Sequence, residues 1–312
     1  MRGIASHRGG EDAGNPNYLI LLRPHCTGMA WLSYDINRYT SPKMVAIPVI
    51  IFLISLIIIG MNYGTTGLPV KPGIDFKGGT AATISTGDSE AAIRAFFAEY
   101  PLDSVTHDVS SRLYLLKFSA MTSEENQGLI TLINERYPDT SIDYIDETFG
   151  KTLQGQAMIA LLFSFIGMAA VVFVAFRTSI PSIAVVTCAF ADIVGTAAVM
   201  SLVGIPLTLP TTAALLMLIG YSVDSDILLT MRVLKRQGKL EDKLEGAFRT
   251  GIIMTSTTLA AALSLWFVAT VAHIGVISDI AAVLLIGLVL DIMNTWITNA
   301  TLLKWYVERE GS

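Results

Sequence analysis

Residues 211–231 read TTAALLMLIGYSVDSDILLTM, a run with no lysine or arginine in which a small polar patch carries Asp224 and Asp226. A helix needs about 20 residues to cross a hydrocarbon core of about 30 Å, and this stretch has that length. It reads as a spanning helix with carboxylates inside it. Five further apolar runs occupy 44–61, 158–176, 180–203, 252–271 and 276–303. The first two are slightly short and draw on flanking residues, while the last is long enough to tilt or to emerge at its end. The composition agrees: 52% of the 312 residues are apolar and only 15% are charged, against about 25% charged in a soluble chain. The mean hydropathy is +0.57. The expected architecture is therefore an α-helical polytopic membrane protein with six transmembrane helices.

Orientation follows from basic residues in the short connections. The segment after the fourth run holds Arg232, Lys235, Arg236, Lys239, Lys243 and Arg249. Arg177 follows the second run and Lys304 the sixth, whereas 204–210 and 272–273 contain neither lysine nor arginine. Both termini are thus expected in the cytoplasm, with residues 64–150 outside. The layout becomes a tail over 1–43 with an interfacial helix at 29–39, a first helix over 44–63, an external domain over 64–150, helices two to six over 151–306, and a short tail over 307–312. No secretory leader is expected, since the first apolar run starts only at Met44.

Between the first two runs the periodicity changes. Residues 78–85 alternate like a strand, and an amphipathic helix is expected from Asp88 to Tyr100. Strand-like runs at 104–109 and 112–118 flank a turn. Thr122 and Glu125 have capping-box spacing for a helix ending before Pro138, and a last strand is expected over 141–149. The order strand–helix–strand–strand–helix–strand is that of a ferredoxin-like α+β domain.

The charge pattern excludes several functions. A formal charge of −5 leaves no basic face for nucleic acid. Cys26 and Cys188 cannot form a disulfide framework, and their expected places, cytoplasm and membrane, argue against a bridge. His7, His25, His107 and His273 lack ligand spacing, so no metal site is expected.

What remains is acidic. Asp192 lies in the third run, Asp224 and Asp226 in the fourth, and Asp279 and Asp291 in the sixth, with no basic residue inside any run. An aspartate at the centre of a spanning helix costs about 2.5–3.5 kcal/mol on insertion scales. Such groups therefore face a bundle interior or a wet cavity. By the helical rise, Asp192 sits about 16 Å and Asp224 about 12 Å from the cytoplasmic side, so the two can share a layer. Asp224 and Asp226 lie about 200° apart and cannot point the same way; one can face the third run, the other the fifth or a partner chain. Thr255, Ser256, Thr257 and Thr258 in the fifth run can solvate a carboxyl, and Asn294 and Thr295 can satisfy Asp291 one turn away. A proton or cation relay is the reading preferred to a merely structural one. Asp279 is expected at the interface.

Three segments resemble the SecF family of protein-export membrane subunits: Gly73-Ile74-Asp75-Phe76-Lys77-Gly78-Gly79-Thr80, Gly220-Tyr221-Ser222-Val223-Asp224-Ser225-Asp226, and Ala191-Asp192-Ile193-Val194. The resemblance spans roughly residues 29–306. It implies a non-enzymatic relative of the resistance–nodulation–division exporters that pairs with a SecD-like subunit beside the SecYE channel. It also implies that the subunit uses the proton gradient to help draw preproteins outward, with no cofactor. Bacterial members carry Asn-Asp-Thr where this chain has Asp224-Ser225-Asp226, so the variant resembles archaeal members; Asp224, then Asp226, is the expected proton carrier. The glycines of the first segment have no phosphate-loop spacing and read as a sharp turn into the first strand. A half-size exporter of small molecules or lipids would need a larger external domain. An intramembrane aspartyl protease would pair Asp192 with Asp224, but its Gly-x-Gly-Asp signature is absent.

Overall fold

Each apolar run folds as a helix longer than itself, because polar flanking residues extend and cap it. The computed structural model describes residues 42–108, 113–138, 140–272 and 274–310. The expected interfacial helix, Cys26 and His273 lie outside the described residues. Spanning helix α1 runs Pro42–Thr66. After an inserted domain, α5 covers Glu147–Phe176, α6 Ser179–Val203, α7 Leu209–Lys235 and α8 Leu240–Val271. The last span is α9, Gly275–Met293, a π-helical turn at Asn294–Asn299, and α10, Ala300–Glu310. Among the described residues, six helical segments are long and apolar enough to cross a membrane. In α6 and α7 more than half of the apolar stretch is buried, 61% and 56%, against 11% in α1 and α5. The polar-bearing helices α6 and α7 therefore form the centre, with α1 and α5 around them.

The insert contains a short turn α2 (Ile74–Lys77), strands β1 (Gly79–Ser85), β2 (Leu102–Asp108), β3 (Leu113–Phe118) and β4 (Ser141–Ile145), and helices α3 (Glu90–Phe96) and α4 (Ser123–Arg136). The sheet is antiparallel in the order β2-β3-β1-β4. Thr80 faces Phe118 on one side and Tyr144 on the other. Alternate residues Ala82, Ile84, Leu116 and Phe118 point to one face and bury Ile93, Phe97, Leu129 and Ile133 of the two helices. Fully burying such side chains is worth about 1.5–3 kcal/mol each, so the insert has a core of its own.

Several sequence-based boundaries need correction, among them the end of the first inserted helix, which stops at Phe96 rather than Tyr100. The helix expected from Asp88 begins at Glu90, because the Ser89 hydroxyl, not Asp88, accepts from Ala92 N–H. The Asp88 carboxylate instead accepts from the Tyr137 hydroxyl at 3.0 Å and pairs with Arg136. The last strand stops at Ile145 rather than Phe149, since the Asp146 side chain accepts from Thr148 and Phe149 N–H and starts α5 there. The strand expected from Ser104 begins at Leu102. The capping box at Thr122 and Glu125 forms as the spacing predicts, and exposed His107 stacks on Tyr114.

Candidate functional site: a buried carboxyl cluster between α6, α7 and the last span

Helix α7 presents Ser222, Asp226 and Thr230 at four-residue spacing, and all three are fully buried. Residues four apart share a helix face, so this stripe turns toward α6 and the last span. There it meets Asp192, also 0% exposed, whose Oδ2 accepts from Ser222 Oγ at 2.6 Å. Asp192 Oδ1 accepts from Asn294 Nδ2 at 2.6 Å. One turn farther along α7, Asp226 Oδ1 accepts from Thr295 Oγ1 at 2.9 Å and from Asn299 Nδ2 at 2.7 Å. Thr295 Oγ1 also lies 3.2 Å from Oδ1 of the buried Asp291.

The π-helical turn makes this convergence possible. On an α-helix, residues five apart point about 140° away from each other. Winding Asn294–Asn299 with wider turns brings Asn294, Thr295 and Asn299 inward together. The middle of the turn is held by Trp296, buried against Gly251 and edge-on to Phe248 of α8.

The electrostatics are one-sided. Among the described residues no ion pair involves Asp192, Asp226 or Asp291, and Asp226 Oδ2, Asp291 Oδ2, Asn299 Oδ1 and Thr230 Oγ1 are buried without a hydrogen-bond partner. A hydroxyl has a single proton. Thr295 Oγ1, positioned to donate to both Asp226 Oδ1 and Asp291 Oδ1, can therefore give a full bond to only one of them at a time. The second carboxyl can donate only if it carries a proton itself. The geometry is thus that of one hydroxyl set between two buried carboxyls.

The other expected site residues lie elsewhere. Asp224, the expected principal carrier, is exposed on the opposite side of α7, because Asp226 points inward and the two are about 200° apart. It makes no pair with Asp192, which takes Ser222 instead, so the geometry of an aspartyl protease is absent. The α8 hydroxyls also stay apart: Thr255 is buried, Ser256 and Thr257 are exposed, and Thr257 and Thr258 both donate to the Met254 carbonyl of their own helix. Gly220 and exposed Tyr221 lie on α7 outside the cluster. Asp279 is half-buried near the start of α9, within the electrostatic reach of Lys117 on β3. Ser222 and Asn299 escaped sequence reading, although Ser222–Asp226–Thr230 was visible as a polar stripe at helical spacing.

Residues 128–309 match the family described as protein export membrane protein SecD/SecF, C-terminal. A protein-export membrane protein SecF from Methanolacinia petrolearia is 56% identical over 283 residues, which cover 91% of this chain and 100% of that one. The chain belongs to the SecF family. Family members from Haloferax volcanii and Pyrococcus furiosus are 41% and 40% identical, over 87% and 86% of this chain and 94% and 92% of their own. The expected archaeal likeness is thus met, and the family is one of export membrane proteins rather than enzymes. The crystal structure of SecDF from Thermus thermophilus, a translocon-associated membrane protein, shares the fold with a TM-score of 0.65 at 21% identity. The match covers 85% of this chain but only 38% of the Thermus chain.

Proposed function

We propose that this chain is the SecF-type accessory subunit of a Sec protein-export complex, in which proton passage through Asp192, Asp226 and Asp291 assists preprotein movement. The observation that carries the proton part is Thr295, one hydroxyl between two buried carboxyls in a cluster with no ion pair among the described residues. Donors and acceptors that cannot all be satisfied at once are expected where protonation changes during work. In this reading the basic connections, including Arg236 and Lys239, face the cytoplasm together with both termini of this cell-membrane protein, and the insert lies outside. The insert is read as ferredoxin-like, which the antiparallel order β2-β3-β1-β4 with two helices on one face supports. The domain borders belong to the same reading, with residues 64–150 as the external unit.

A SecD-like subunit is the proposed partner, beside a SecYE channel and a translocating preprotein. Two observations support a second helical bundle. The Thermus SecDF chain is much longer than the part this chain matches, and Asp224 offers an exposed carboxylate among apolar neighbours on the outer side of α7. A lone aspartate at such depth is unfavourable against lipid and is relieved by a polar partner helix.

Secretion of a reporter protein tests the reading. Asp226→Asn, Asp192→Asn and Asp291→Asn should each slow export about tenfold or more while membrane insertion stays intact. Asp224→Asn should weaken co-purification of the SecD-like subunit first. Normal export in all three inner variants would remove the relay and leave a scaffolding role.

A further inference from the structure

The segment Gly73–Gly79 turns the chain into β1, and its contacts reach the helix that carries Asp226. The first backbone N–H groups of a helix have no partner within it. In α7, Thr211 N–H is accepted by the Thr208 hydroxyl and Thr212 N–H by the Thr208 carbonyl, while Pro210 has no N–H. Leu209 N–H remains, and its acceptor comes from 134 residues away: Oδ2 of Asp75, at 2.9 Å. Around this bond the two segments are tied backbone to backbone. Gly73 N–H donates to the Leu207 carbonyl and Leu207 N–H to the Lys71 carbonyl, each at 2.8 Å. A side chain at Gly73 would sit 2.5 Å from Thr208 Cγ2, so only glycine allows this approach. Phe76, 2% exposed, anchors the same turn in the bundle core with Leu207, Ala214 and Leu215.

We propose that Asp75 is a positioning residue through which the inserted domain sets the place of α7, and with it the carboxyl cluster. The inference rests on the export reading above. Asp75 sits one short turn before β1, so a displacement of the sheet reaches Leu209 through a charge-assisted bond. Helix α7 has no proline beyond its first turn and transmits the shift along its axis. Ser222 and Asp226 lie about 20 and 26 Å farther on. Their bonds to Asp192, Thr295 and Asn299 are 2.6–2.9 Å long. A shift of 1 Å or so would break them.

Two substitutions remove the same bond from opposite ends. Asp75→Ala deletes the acceptor. Leu209→Pro deletes the donor at the helix position where proline is best tolerated, after a Thr208 already extended at φ −126°, and changes no side chain of the turn but that of Leu209 itself. In full-length protein in its native membrane, each should lower reporter export at least about fivefold. The double variant should be no worse than the poorer single, and Asp75→Asn, which keeps an acceptor oxygen, should retain most activity. The readout that a merely structural role would not move is the infrared carboxyl C=O band assigned to Asp226 by its loss in Asp226→Asn: Asp75→Ala and Leu209→Pro should shift it, and Asp75→Asn should not. The proposal is overturned if Asp75→Ala leaves that band and export as in the wild type, or if the two single losses multiply. Should Asp226→Asn export normally while Asp75→Ala still moves the band, the coupling stands and the export reading fails. Should Asp226→Asn stop export while Asp75→Ala leaves the band unmoved, it is the coupling that falls.

Discussion

At the scale of single residues, Thr295 decides how the cluster can work. Thr295→Val keeps shape and removes the hydroxyl that, among the described residues, touches both Asp226 and Asp291. Export of a reporter should fall about tenfold or more, and Thr295→Ser should restore most of it; equal loss in both would point to packing instead. Two exposed carboxylates on the insert make a pH prediction. The Thr122 backbone N–H and hydroxyl hold Glu125 below the usual carboxylate range, and the Thr148 and Phe149 N–H groups do the same for Asp146. A folded-state value below the unfolded one means these caps stabilise above the ordinary pKa of about 4. That contribution is lost as pH falls through the folded values. Amide exchange in the first turns of α4 and α5 should therefore speed up below about pH 4, beyond the intrinsic pH trend and ahead of exchange in β1.

At the scale of elements, the π-helical turn at Asn294–Asn299 is the part that most repays attention. Within it Trp296 packs against α8, where a Cβ at Gly251 would come within 2.4 Å of the indole. Gly251→Ala improves helix propensity by about 1 kcal/mol, but the ring is rigid and buried, and overpacking costs about 1–3 kcal/mol. The clash should win. Thermal unfolding in detergent should shift downward, and the Asn294 and Asn299 bonds to the aspartates should loosen with it. A higher midpoint would show that the turn repacks without strain.

For the molecule as a whole, the insert and the bundle are joined at the Gly73–Gly79 turn and at the start of α5. Gly78 has φ 76° and ψ 166°, a region open essentially to glycine alone, and a Cβ there would lie 2.7 Å from Glu147 Cα. Gly78→Ala should cost at least about 1–3 kcal/mol from the backbone alone. Limited proteolysis should then cut between Lys77 and Thr80 while the spanning helices stay protected. If the cleavage pattern is unchanged, this joint is looser than its contacts imply.

Six spans, the inserted strand–helix order and the acidic residues at depth could be read from residues 44–303, because lipid and a pleated sheet impose periods of hydrophobicity that survive in one dimension. The capping box at Thr122 was legible for the same reason: it is a contact three residues long. What tertiary structure alone decided was the direction in which each carboxyl points. The run 211–231 carries polar residues on more than one side, Asp224 as well as the stripe through Asp226, so its periodicity alone did not decide that Asp226 turns inward and Asp224 outward. The i, i+4 stripe through Ser222 and Thr230 acquires meaning only when Asp192 and a locally widened last span arrive opposite it. The bond from Asp75 to Leu209, 134 residues away, lies wholly beyond sequence periodicity, since it is made by two turns that meet only after the bundle has closed.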